Sequence, residues 1–416
     1  MSPPGSPRGD ERRAAWLRGC VTAQRAHAAT QPRSHAAPTL TTSTHPHVPC
    51  SYRDRRLALP GRLHRGLGED DPRRGGGRRR RVAHAGERGR LRARRYGIAA
   101  HYADYRDLLR DPNVELVSIT APNYLHAEIT VAAAAAGKHV VCEKPLCVTL
   151  EEADAMLDAC AKAGVLLLYA EELFFAPKYV KAKRMADEGA FGRVHLVKQG
   201  EKHNGPHADW FWDVDRSGGG ALMDLGCHGI AFCWWFLGKP KVKSVYAQLS
   251  TQVHGARTAG DDEALCIMEF EGGAVGVVEN SWTKPGGMDD SVEVFGDKGQ
   301  CYADLLMGNA LPTYSEAGFG YAVEKASLTT GWSYPVFEEH WNYGFPQEMR
   351  HFARCVRGLE TPIADGETGR VVQEVLYAAY ASAGLGRKIA MPFRPTGIVK
   401  PIDLWKKPEL AEAALA

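Results

Sequence analysis

Four groups of residues in this 416-residue chain have types and spacings that chemistry could use. The first is Thr120, Pro122, Asn123 and His126, just after an apolar run. The second is Glu143-Lys144-Pro145. A residue before proline is pushed out of the helical region, so Lys144 is pinned in extended backbone. An ammonium held there can hydrogen-bond a substrate hydroxyl and stabilise a developing alkoxide. The same residues also suit a solvated loop. The third group runs from Ser217-Gly218-Gly219-Gly220 to Asp224-Leu225-Gly226-Cys227-His228. Asp224 and His228 are i, i+4 and share one helix face. A carboxylate beside an imidazole can fix its tautomer and raise its basicity, as a general acid or base needs. A capped helix with a satisfied histidine fits too. A metal on Cys227 and His228 is not expected, because neighbours on a helix point apart. Gly226 and Gly229 each cost a helix about 1 kcal/mol against alanine, which predicts a close approach there. The fourth group is His203, His207, Trp210 and Trp212, where polar groups alternate with aromatics as for a polyhydroxylated ligand. A surface loop over packed tryptophans gives the same pattern, and Gly205-Pro206 breaks the helix a zinc-binding histidine pair would need. Gly218-Gly219-Gly220 is no phosphate loop, since no Gly-Lys-Ser/Thr follows.

These groups need elements to hold them. The sequence predicts a short helix over 102–109. It then predicts strands at 114–120, 138–142 and 165–170, with helices at 125–136 and 151–163, the latter capped by Thr149. Strands alternating with helices make a parallel sheet, and open parallel sheets bind ligands at the strands' carboxyl ends, where the first two groups lie. Beyond residue 172 the pattern changes. Helices are expected near 177–188, 219–237, 346–357 and 366–384. Strands are expected at 193–201, 241–251, 262–270, 274–283, 291–296 and 299–304, mostly without intervening helices. The fold class is therefore α/β plus α+β: an incomplete Rossmann-type parallel sheet followed by a mixed, mostly antiparallel open sheet. The expected division is 1–95, 96–172, 173–392 and a tail over 393–416.

Composition bounds the function. Hydrophobic residues at 44% and charged residues at 24% describe an ordinary globular chain, with no apolar run of membrane-spanning length. The ten cysteines form no C-x-x-C pair and read as reduced core residues of a cytoplasmic protein. Residues 1–95 hold 22 arginines, no lysine and seven acidic residues, whereas the rest holds 30 basic and 42 acidic residues. The first segment also lacks Ile, Phe and Asn and shows no apolar period. A disordered basic extension would look like this. So would a GC-rich gene translated in a wrong frame, and that account is favoured because an expected nucleotide-binding unit is missing. A basic arm can bind nucleic acid, but no interleaved aromatics support it, and neither a nucleic-acid nor a membrane partner is expected.

Three motifs then carry a resemblance: Ala121-Pro122-Asn123-Tyr124-Leu125-His126, Glu143-Lys144-Pro145, and Gly219-Gly220-Ala221-Leu222-Met223-Asp224-Leu225-Gly226-Cys227-His228. In this order and spacing, over about 96–392, the chain resembles the glucose–fructose oxidoreductase / inositol dehydrogenase / rhizopine catabolism (Gfo/Idh/MocA) family. The resemblance implies NAD- or NADP-dependent hydride transfer at a hydroxyl-bearing ring carbon of a sugar, inositol or related polyol. It implies that Lys144, Asp224 and His228 are catalytic, with His228 taking the proton and Lys144 lowering the hydroxyl pKa. Thr120, Pro122, Asn123, His126, Glu143 and Lys144 would line the nicotinamide side, and the open sheet would form a homodimer or homotetramer. The departure is the missing G-x-G-x-x-G: Gly66-Leu67-Gly68-Glu69-Asp70-Asp71 has two of the three glycines and acidic residues at the phosphate position. A truncated pseudoenzyme or sugar-binding protein is the alternative.

Overall fold

The structure, a computed structural model, describes residues 21–24, 100, 102–326, 329–395, 397 and 399–415. Apart from the strand Val21–Gln24, the expectations for 1–95 lie outside the described residues. The chain divides into two units, residues 1–115 and 116–416. The first contains β1 (Val21–Gln24) and a short helix, α1 (Tyr105–Leu109), whose N-cap Asp104 accepts from the Arg106 backbone N–H.

In the second unit β2 (Leu116–Ile119), α2 (His126–Ala135), β3 (His139–Glu143), α3 (Leu150–Ala163) and β4 (Leu167–Ala170) alternate as the sequence predicts. The pairs β2–β3 and β3–β4 are parallel. The strands are apolar runs because helices cover them: Val117, Ile119, Val140, Val141 and Leu168 are all buried. Thr149 and Glu152 form a reciprocal capping box that starts α3. The Lys144–Pro145 peptide, directly after β3, is cis.

The rest of this unit follows α4 (Pro177–Asp187). Its strands are β5 (Val194–Lys202), β6 (Val242–Ser250), β7 (Glu263–Phe270), β8 (Val275–Ser281), β9 (Asp289–Gly296) and β10 (Gln300–Asp304). With Ile389–Ala390 they form one sheet in the order β10-β9-β5-β8-β7-β6 and then that last short strand. Only the β5–β8 pairing is parallel within it, so the sheet is mixed and mostly antiparallel. One face is covered by α5 (Cys227–Phe236), which lies on β5 and β8. The long helix α6 (Gly366–Leu385) lies on β6 and α5, with Val372, Val375, Leu376 and Tyr380 buried.

The expected unbroken helix over 219–237 is corrected in one respect. Residues Leu222–Gly226 make a π turn, and regular α-helix begins at Cys227. The predicted close approach is there: a Cβ on Gly229 would lie 2.4 Å from Val278 Cγ1, and one on Gly226 would lie 2.6 Å from Leu222 Cδ1. What approaches is the sheet and the helix's own side chain, so these glycines serve packing.

Candidate active site

The site is built where β3, the β4 end and the π turn meet. Lys144 leaves the end of β3, and its Nζ donates to the main-chain carbonyl of Asp224 at 2.7 Å and to Asp224 Oδ1 at 3.3 Å. Their side chains are 16% and 8% exposed. Trp282 Nε1 donates to the other carboxylate oxygen, Oδ2, at 3.1 Å. Burial alone would lower the Lys144 pKa, but the acidic side chains around it, Asp224 foremost, raise it and keep the ammonium charged. Burial alone would raise Asp224, yet the Lys144 ammonium and then that of Lys325 hold it below the usual carboxylate range.

The sequence reading paired the Asp224 carboxylate with His228. The structure corrects this. His228 Nδ1 lies 2.7 Å from Glu171 Oε1 in a hydrogen bond, and 3.8 Å from Glu172 Oε2. Glu171 stands one residue past β4, and both partners of the bond are buried, at 2% and 0% exposure. Asp224 is engaged by Lys144 and Trp282 instead. Burial and the neighbouring Glu172 push the Glu171 carboxyl well up, while Lys144 pulls it the other way, so the two pairs share one field. Donor atoms of Glu171, Glu172 and His228 all lie within 4.8 Å of one another, a grouping that the Cys227–His228 spacing did not foreshadow.

The remaining expected residues divide. Asn123 is buried, and its Nδ2 donates to Ser217 O at 2.7 Å. His126 is also buried, with Nε2 2.8 Å from Ala121 O and Nδ1 3.0 Å from Pro145 O. It braces the loops after β2 and β3 through their backbone. Pro122 is buried, and Thr120 and Glu143 are half-buried at the same strand ends. His203 is buried, and burial with the nearby Lys325 charge pushes its pKa down to about 3, so it is neutral. Its Nδ1 lacks a hydrogen-bond partner among the described residues. His207 is exposed and pairs with Glu324 at 2.6 Å. Trp210 stacks on Phe211 with ring centres 3.8 Å apart. Trp212 packs edge-on against Trp282 and lies under Arg257. Trp282 thus links the Lys144–Asp224 pair to Trp212, and His203 feels the Asp224 charge, while His207 and Trp210 are engaged by Glu324 and Phe211.

The sequence reading missed a row across the sheet. In register, Asp290 of β9 stands beside Glu201 of β5, which stands beside Asn280 of β8. All three are buried, with Glu201 Oε2, Asp290 Oδ2 and both Asn280 side-chain atoms unpartnered among the described residues. Buried polar atoms of this kind want a partner, whether water or ligand. The signal was available: Gln199, Glu201 and His203 fall at every second position, on the face where Val197 is buried.

The residues fit the nicotinamide end of a dinucleotide. The orphaned Asn123 Oδ1 is a buried acceptor at the carboxyl end of the parallel sheet, suited to a carboxamide N–H. Comparison with known proteins agrees. A model described as an oxidoreductase family with an NAD-binding Rossmann fold matches residues 78–171, starting earlier than the composition change at Tyr96. The Gfo/Idh/MocA C-terminal domain model matches 179–302. The chain is 30% identical over 297 residues to myo-inositol 2-dehydrogenase of Thermotoga maritima, covering 71% of this chain and 85% of that one. It is 36% identical over 214 residues to levoglucosan dehydrogenase of Pseudarthrobacter phenanthrenivorans, covering 45% and 54%. Among solved structures, GenD2 from gentamicin A biosynthesis in complex with NAD superposes with a TM-score of 0.69 at 34% identity, covering 74% of this chain and 87% of GenD2.

Proposed function

The chain belongs to the Gfo/Idh/MocA family of NAD-binding oxidoreductases, and on that premise we propose that it moves hydride between nicotinamide and a hydroxyl-bearing ring carbon of a sugar, inositol or related polyol. The observation that carries this reading is the buried Lys144–Asp224 pair beside the Glu171–His228 pair.

A bound nicotinamide supplies the hydride acceptor. The chain's own residues do the rest. Lys144 donates to the substrate hydroxyl, and its fixed charge favours the alkoxide as the proton leaves. His228 receives that proton at Nε2. Asp224 compensates the ammonium and holds it in place. His203 and Trp212, the latter backed by the buried Trp282, contact the sugar ring, and Asn123 and Glu143 face the nicotinamide. Assay with NAD and with NADP against a panel of polyols selects the cofactor and the substrate. The relatives are named for inositol and levoglucosan, which makes these the first substrates to try.

Self-association belongs to this reading as well. On the sheet face turned away from α5, Tyr246, Ile267 and Val277 are cross-strand neighbours and remain part-exposed. An apolar row of this kind fits the contact between copies of the chain. Among the described residues, no helix is long and apolar enough to cross a membrane.

A second reading, polyol binding without hydride transfer, is favoured by the missing glycine-rich turn. Titration of the full chain with NAD and NADP separates the two. Micromolar binding, followed by formation of reduced nicotinamide from myo-inositol or levoglucosan, supports the dehydrogenase. No binding at millimolar cofactor overturns it for this chain.

A further inference from the structure

We propose that Glu171 is the positioning residue of the proposed base: it holds the His228 Nδ1–H, presents Nε2 to the substrate hydroxyl, and steadies the imidazolium that forms. This rests on the dehydrogenase reading above and adds a residue that the Lys144, Asp224 and His228 set does not contain.

The geometry is specific. The Nδ1–Oε1 distance is 2.7 Å, that of a well-formed hydrogen bond, and both residues are buried. The bond joins the loop after β4 to the first turn of α5, 57 residues on. An imidazole has one proton when neutral. If Nδ1 carries it toward a carboxylate, Nε2 is left as the acceptor. When a proton arrives from the alcohol O–H, the O–H bond breaks and an Nε2–H bond forms. The ring then bears a positive charge, next to a carboxylate already in contact. The C–H electron pair leaves separately as hydride, so the balance closes with one hydride and one proton per alcohol. In the reverse direction the imidazolium returns its Nε2 proton to the alkoxide.

Other charged groups act on Glu171 from neighbouring elements. Glu172 lies beside it, Lys144 reaches it from the β3 end, Glu348 from the helix Phe345–Val356 and Glu201 from β5. Burial and the three acids push the Glu171 carboxyl up and Lys144 pulls it down, so the carboxylate form is sustained by Lys144 and by the contact with the His228 ring, and it is favoured most when that ring takes up its second proton.

The test reads the tautomer of His228 directly, in the full chain with no ligand added. With 15N-labelled histidine, two-bond proton–nitrogen correlations distinguish a ring protonated on Nδ1 from one protonated on Nε2, and the spectrum of His228→Gln assigns the signal. The wild-type ring is expected to carry its proton on Nδ1. Glu171→Met removes the acceptor and leaves the His228 ring buried without it, so folding of the variant is checked by circular dichroism before its spectrum is read. In that variant the proton should move to Nε2. A wild-type ring protonated on Nε2, or a tautomer unchanged in Glu171→Met, would overturn the proposal. Kinetics give a second readout. Glu171→Gln keeps an acceptor without charge, so kcat for NAD-linked oxidation of myo-inositol should fall roughly a hundredfold with KM little changed. The acid limb of the pH profile should move down by about one unit or more, because the ring loses its anionic neighbour. An unmoved limb with wild-type kcat counts against it. Full activity in His228→Gln would overturn the proposal by showing the ring dispensable as base, whereas no NAD-linked oxidation by the wild-type chain would sink the dehydrogenase reading itself. The tautomer measurement needs no substrate, so the two failures can be told apart.

Discussion

Lys144 Nζ touches Asp224 twice, at the main-chain carbonyl (2.7 Å) and at the carboxylate (3.3 Å). The two residues are 80 positions apart in sequence. The contact joins the end of β3 to the π turn before α5. A buried ammonium is stable only with such a partner.

Removing the ammonium has two separable consequences. Lys144→Met should reduce kcat by roughly a hundredfold or more, as expected for loss of a group that helps proton transfer. It should also leave the Asp224 carboxylate buried without its partner, which typically costs about 3–5 kcal/mol. The double variant Lys144→Met, Asp224→Leu should recover most of that stability and none of the activity. Denaturant midpoints and turnover, measured on the same preparations, check both halves.

Asp290 and Asp224 should respond to pH with opposite signs. Burial pushes Asp290 up to about 7, while Asp224 is held low by Lys144. For Asp290 the folded state keeps a proton that the unfolded chain releases. Stability from this group is present at low pH and is lost as pH rises from about 4 towards about 7. For Asp224 the contribution is present at neutral pH and is lost as pH falls below about 4, through its lowered folded value. Asp290→Asn keeps an acceptor for the Tyr179 hydroxyl, which lies 2.7 Å from Asp290 Oδ1. Its melting temperature should therefore decline less than that of wild type between about pH 5 and pH 7. Parallel slopes for the two proteins would contradict the assignment.

Gly220 should not accept a side chain. A Cβ there would lie 1.9 Å from the Asp261 carbonyl oxygen and 2.5 Å from its nitrogen, and backbone on both sides cannot give way. The approach matters because the Asp261 carboxylate receives the N–H groups of Gly220 (3.0 Å) and Leu222 (2.7 Å) and the Tyr380 hydroxyl (2.6 Å). Gly220→Ala should yield protein with lost near-ultraviolet dichroism and an early melt, whereas Gly320→Ala, at an exposed position with open space around it and no left-handed backbone, should melt within a few degrees of wild type.

Charging the exposed face of the open sheet should dissociate the assembly. Tyr246→Asp with Ile267→Lys places charges on adjacent strands at the proposed contact. Sedimentation velocity should show the wild-type chain larger than one copy and the double variant as a monomer, with unchanged far-ultraviolet dichroism. A monomeric wild type would remove this part of the reading.

Much of the fold was legible because its signals are local. Gly137 and Gly164 end helices in the left-handed region, Thr149 opens one with a capping box, and the apolar strands stand out against them. The Glu143-Lys144-Pro145 corner was legible because proline constrains the residue before it. The partner of His228 was not. Helical spacing pointed to Asp224, four residues away, but a carboxylate from another element packs closer, and only the tertiary fold decides that. The polar row of Asp290, Glu201 and Asn280 escaped for a related reason. Each residue sits in a different strand, and strand order in a mixed sheet is not written in any one of them. The π turn is equally silent in sequence, since Leu222 to Gly226 have the composition of an ordinary helix.

That turn places a backbone oxygen of Asp224 against the lysine. A carboxylate can be deleted by one base change, but a peptide carbonyl is present whatever residue occupies the position. Placement of the ammonium and tuning of its charge are therefore carried by different atoms of one residue. Asp224 can vary and alter how acidic the neighbourhood is while the lysine keeps an anchor.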